Sequence, residues 1–142
     1  MYKNKIIILF ILFLLPISAI AGSSATPEEV VSKYCQLDFE GARLNGSTWS
    51  KVYPLITWEE EAGWDVVVPI KNFKITSTSQ EKNNATVKVQ YDFEREVHGV
   101  NPDQLTYKQK IVDFKLIKQG DTWKINSPKI YPHVSAEALK RK

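Results

Sequence analysis

Along the second half of the chain, apolar and polar positions alternate with a period of two. Ala85, Val87, Val89, Tyr91 and Phe93 fall on one parity, and Thr86, Lys88, Gln90, Asp92 and Glu94 on the other. A strand with that pattern has one dry face and one wet face, so 85–97 is expected to be a half-buried antiparallel strand. Before it, Phe73, Ile75 and Ser77 alternate with Lys74 and Thr76, and the polar stretch 80–84 suits a hairpin connection. After it, Asn101-Pro102-Asp103 marks a turn within 99–105. A further strand is expected over 107–118, with Val112, Phe114 and Leu116 on one face. Gln119-Gly120-Asp121 then turns tightly into a strand over 122–126 that points Trp123 and Ile125 together.

The first half has a different period. Thr26 is placed to cap a helix, Pro27 suits its first position, and Glu28 and Glu29 complement the positive end of the helix dipole. Val30, Tyr34, Leu37, Gly41 and Leu44 recur at steps of four and three and share one helix face, and Asn45-Gly46 stops the run. Ser47 or Thr48 can cap a second stretch in which Trp49, Val52, Tyr53 and Ile56 form an apolar stripe. Pro54 interrupts it, so a kink or two short helices are expected. Trp58 and Trp64 flank the glutamates Glu59, Glu60 and Glu61, and Ser135 can cap a last short helix. Helices followed by a strand meander make an α+β layout, with the helices covering one face of an antiparallel sheet of about four strands.

The opening residues change where this domain is expected to work. Lys3 and Lys5, an apolar run over 6–15, and the small residues of Ala19-Ile20-Ala21 follow the plan of a secretory signal cleaved after Ala21. Pro16 closes the apolar run short of the roughly 20 residues that a spanning helix needs, so no stable membrane anchor is expected after cleavage. The expected division is a signal peptide over 1–21, one domain over 22–127 and a C-terminal tail over 128–142. The protein is expected to be exported, to the periplasm or the cell exterior. Cleavage leaves 17 basic and 16 acidic residues. A near-neutral domain whose one basic block is Lys140, Arg141 and Lys142 does not look like a nucleic-acid binder. The single cysteine, Cys35, allows no internal disulfide, and burial is the expected fate of its thiol.

The arrangement resembles the nuclear transport factor 2-like superfamily, the cystatin-like α+β roll. The resemblance spans Thr26 to about Asn126. It rests on the opening helix ending at Leu44-Asn45-Gly46, the second helix over 48–56, the long paired strands, and the closing turn-plus-Trp strand Lys118-Gln119-Gly120-Asp121-Thr122-Trp123-Lys124-Ile125. It implies a sheet curled around the helices into a cone, whose open end holds a small molecule or packs against a second subunit. A homodimer fits that implication. Members include enzymes, ligand binders and parts of secretion assemblies, so the fold does not name the function.

Motifs of strong chemistry are missing. The chain has no Gly-rich phosphate loop, no His-Glu-x-x-His, no Cys-x-x-Cys and no Gly-x-Ser-x-Gly. Cys35, His98 and His133 fall short of a structural zinc set, and no cofactor is expected. Strict alternation carries Arg95 toward the dry face, where an unpaired charge costs several kcal/mol. Either a bulge or the strand end turns it to water, or it lines a polar pocket at the mouth of the cone. Asp38 is either a solvated helix carboxylate or a pocket acid. His98 is either a loop histidine in water or a proton shuttle. Tyr34, Asp38, Trp58, Trp64, Tyr91 and Arg95 are the candidate ligand-binding residues, with core packing as the competing role for the aromatics. The three glutamates read as a solvated face. The leading expectation is a non-enzymatic module that binds a small molecule or a protein. The alternatives are a subunit of an envelope or secretion assembly, and a small lyase or isomerase using Asp38 or His98 as its acid or base.

Overall fold

The structure, a computed structural model, describes residues 24–61, 63–94 and 109–141. The signal-peptide reading of 1–21, the turn at Asn101-Pro102-Asp103, and the side chains of Arg95 and His98 lie outside the described residues.

Helix α1 spans Pro27–Phe39. Its start follows the sequence signals and adds a reciprocal pair of bonds. Thr26 Oγ1 accepts from the Glu29 N–H at 3.2 Å, and Glu29 Oε2 accepts from the Thr26 N–H at 2.7 Å. The helix stops earlier than Asn45-Gly46. Gly41 adopts φ 87°, its N–H bonds to the Asp38 carbonyl at 2.9 Å, and a 3-10 turn over Ala42–Leu44 follows. A left-handed residue just past the last helical turn ends a helix, and glycine adopts it at least cost. Periodicity alone had counted Gly41 as part of the stripe. The second helical stretch is broken as expected, into a 3-10 turn over Gly46–Thr48, the short helix α2 over Trp49–Val52, and another 3-10 turn over Tyr53–Leu55 that contains Pro54.

Strands β1 (Val68–Glu81), β2 (Asn84–Phe93), β3 (Gln109–Gln119), β4 (Thr122–Ser127) and β5 (His133–Ser135) form one sheet in the order β4-β3-β2-β1-β5. The first four are antiparallel neighbours, while β5 runs parallel to β1 and pairs only with Val68, Pro69 and Ile70. Two-residue turns join β1 to β2 and β3 to β4. In the second, Gly120 takes φ 61°, and in the first Lys82 holds the equivalent place at φ 51°. The segment after Pro128 supplies both β5 and helix α3, Ala136–Lys140, whose cap is Ser135 Oγ accepting from the Ala138 N–H.

The alternation is realised from Ala85 to Phe93, where β2 ends short of the expected span, of which 95–97 lie outside the described residues. Ala85, Val87, Val89, Tyr91 and Phe93 are buried while Lys88 is exposed. Together with Val112, Phe114, Leu116, Trp123 and Ile125 they face α1, where Tyr34 meets Phe114 edge-on at 5.6 Å. The result is an α+β fold in which a curled five-stranded sheet is filled from its concave side by α1 and the short helices. Among the described residues no helix is long and apolar enough to cross a membrane.

Candidate functional site

The polar chemistry of the protein is concentrated where α1, the loop carrying Glu61, and the C-terminal segment meet. Tyr34 and Asp38 stand one turn apart on the inner face of α1, so a single helix delivers both into the core. The turn that Gly41 starts brings Arg43 back against them, with a fully buried side chain. Its guanidinium reaches in three directions. Nη1 donates to Asp38 Oδ2 at 3.2 Å. Nε and Nη2 donate to the two carboxylate oxygens of Glu61 at 2.9 and 3.0 Å, and Nη2 also donates to the Ile130 carbonyl at 2.8 Å. The rings of Tyr34 and Trp64 lie 5.5 and 5.2 Å from its central carbon. A planar fork can do this; a lysine ammonium cannot.

Asp38 is 1% exposed, and its Oδ2 also accepts the His133 N–H at 2.9 Å. Burial pushes its carboxyl up to about 7, against the pull of Arg43 and of the His133 N–H. Burial also opposes the Arg43 charge, yet Asp38 and Glu61 together hold that group above its ordinary value. The network thus joins three chain segments distant in sequence. Asp38 Oδ1 and the Tyr34 hydroxyl are buried without a hydrogen bond among the described residues. Trp64 Nε1 donates to Glu61 Oε1 at 2.5 Å, and its ring meets Tyr131 edge-on at 5.4 Å.

Tyr91 lies on the far side of this cluster. Its hydroxyl and Cys35 Sγ are 3.2 Å apart, and the His133 ring lies over it at 4.4 Å. Burial raises the Cys35 thiol to about 12 and lowers the His133 imidazole to about 4, where Nδ1 contacts the Tyr131 carbonyl at 2.6 Å. A thiol held that high is not a nucleophile near neutral pH.

The structure therefore brings Tyr34, Asp38 and Trp64 around Arg43, places Tyr91 next to that group, and sets Trp58 in the core with Lys129 Nζ 5.6 Å from its ring. Glu61, read as part of a solvated run, is bound to Arg43, whereas Glu59 and Glu60 are exposed. Sequence reasoning passed over Arg43 and Glu61. One signal was available: only Arg43, Arg95 and Arg141 among the 19 basic residues are arginines. An arginine set between Ala42 and Leu44 in a lysine-rich chain marks a place where the fork is used.

Two clefts flank the elbow between α1 and α2. One, of about 430 Å³, is lined by Leu37, Gly41, Ala42, Leu44, Lys51 and Arg141. The other, of about 490 Å³, runs past Arg43, Trp49 and the three glutamates. Among the described residues no three His, Cys, Asp or Glu side chains are grouped as metal ligands would be. In comparison with known proteins, the chain matches no family model, no curated protein and no solved structure.

Proposed function

We propose that this protein is an exported, non-enzymatic binding module of the nuclear transport factor 2-like kind, and that its partner is another protein. One observation carries the reading. The concave side of the sheet, where a roll of this kind would hold a ligand, is occupied by Tyr34, Phe114, Tyr91 and Trp123. The carboxylate oxygen Oδ2 of Asp38 is also engaged there, by Arg43 and by the His133 N–H. A buried ion pair tied to backbone groups in this way fixes the relative position of chain segments. The other Asp38 oxygen, Oδ1, makes no hydrogen bond among the described residues but is buried, and Asp38 lines neither of the two clefts, whereas a general base needs an oxygen within reach of a substrate proton. Helices that precede a strand meander, and a sheet that curls over them, support the assignment to the roll. The basic and apolar opening of the chain supports export. Membership in an envelope or secretion assembly is one form of this reading.

A second reading, a small-molecule carrier, is favoured by the cleft beside Gly41. Its lining combines the apolar Leu37, Ala42 and Leu44 with the charged Glu40, Lys51 and Arg141.

The test is in-place cross-linking of the tagged chain at its natural abundance, followed by identification of what is attached in the exported fraction. One protein recurring at fixed stoichiometry is the expected result. Recovery of a lone chain that instead carries a bound small molecule would replace the protein reading with the second one.

A further inference from the structure

Strand β1 is longer than its neighbour β5 can cover. Pairing with β5 ends at Ile70, and along 71–81 no strand lies on the side of β1 away from β2 among the described residues. Backbone N–H and C=O groups on such an edge form a template for another strand.

The side chains along the first part of that edge have two characters. Phe73 is opposite Tyr91 and Ile75 is opposite Val89, so both lie on the concave side. They are half-buried, and Phe73 meets Phe39 edge-on at 6.0 Å, which makes a partly covered apolar shelf beside the open backbone. Lys74 is opposite Gln90, on the convex side, and it is exposed, as is Lys71. Beyond Ile75 the inner side becomes polar, with Thr78 donating to Glu28 Oε2 at 3.1 Å.

We propose that β1, over about 71–77, accepts an extended strand of a partner protein in which apolar residues alternate with acidic ones. This rests on the reading of the protein as a binding module. The inward side chains of the added strand would cover Phe39, Phe73 and Ile75, and its outward acids would lie beside Lys71 and Lys74. A second copy of this chain fits less well. It would set lysine near lysine, whereas an acidic strand meets Lys71 and Lys74 with opposite charge.

The test uses the protein as cells export it and a synthetic peptide of about seven residues alternating valine and glutamate, with a valine–lysine peptide as control. Titration calorimetry should show the glutamate peptide binding about tenfold more tightly than the lysine peptide. Amide exchange over 71–77 should slow on its addition. Lys71→Glu with Lys74→Glu, both on exposed positions, should reverse the preference without moving the melting temperature. The proposal is overturned by unchanged exchange over 71–77, by equal affinity for both peptides, or by dimerisation through these amides. It also fails if 71–77 already exchange as slowly as β2 in the free protein, because the edge is then covered. A native partner that the double variant still holds removes the edge proposal and leaves the module intact. Absence of any native partner removes the module reading, and the peptide titration still decides the edge.

Discussion

Arg43 and Glu61 meet through two parallel hydrogen bonds, Nε to Oε2 and Nη2 to Oε1, while the remaining guanidinium nitrogen reaches Asp38. The first pair lies eighteen positions apart along the chain. The fork therefore fixes the loop after Trp58 to the end of α1, and through Ile130 it fixes the approach to β5 as well.

Removing the fork should be costly. Arg43→Ala leaves the Glu61 carboxylate without its cation and Asp38 without a hydrogen-bond donor, and loss of one partner of a buried ion pair costs about 3–5 kcal/mol. Arg43→Lys keeps the charge and loses the two-point contact, so about 1–3 kcal/mol is expected. Urea unfolding of the three proteins, compared at constant m-value, gives the order directly.

The pH dependence has two opposing parts. Burial raises the Asp38 carboxyl from 3.8 to about 7, so the folded chain holds a proton that the unfolded chain releases, and that stability is lost as pH rises toward 7. Burial lowers the His133 imidazole from 6.5 to about 4, so the folded chain refuses a proton that the unfolded chain takes up, and that stability is lost as pH falls toward 4. Arg43 and the His133 N–H act on the first group, and Lys110, Arg43 and the Tyr131 carbonyl on the second. The two slopes oppose each other across the same window, and their contributions should largely cancel between about pH 4 and 7. Asp38→Asn should expose the histidine, giving stability that rises with pH by up to about 1.4 kcal/mol per unit. His133→Phe should expose the carboxyl and reverse the slope. Denaturant titrations at a series of pH values measure both.

Lys82 and Gly120 occupy the same place in their two hairpins, both at positive φ. A residue with a Cβ pays about 1–2 kcal/mol there, whereas glycine does not. Lys82→Gly should raise stability by about 0.5–1 kcal/mol once the extra freedom of the unfolded chain is counted. A higher urea midpoint is the expected readout, and a lower one would show that Lys82 makes a compensating contact.

Gly41 is constrained twice, by φ 87° and by a Cβ position only 3.2 Å from Ala138 Cβ. Gly41→Ala should cost about 1–3 kcal/mol and loosen α3. Faster amide exchange within Ala136–Lys140 would accompany it.

The α+β class and the hairpins were legible because their signals are local. Capping by Thr26 needs four consecutive residues, and the alternation from Ala85 to Phe93 fixes a face without reference to the rest of the chain. The helix end was not legible, since Gly41 continues the apolar stripe and also has the backbone freedom that breaks it. Asp38 could be read two ways because its burial depends on Arg43, Glu61 and His133, which approach from three separate segments. Strand β5 was missed for a similar reason: three residues pairing in parallel with a strand over sixty positions earlier leave no periodic trace.

Native mass spectrometry of the protein recovered from the cells that make it, wild type beside Asp38→Asn, tests the binding-module reading most directly. A module whose buried acid serves the fold predicts the same complex mass for both proteins, one chain plus a constant protein partner. Chains of single mass in the wild type, or a folded Asp38→Asn that has lost the partner, would contradict it.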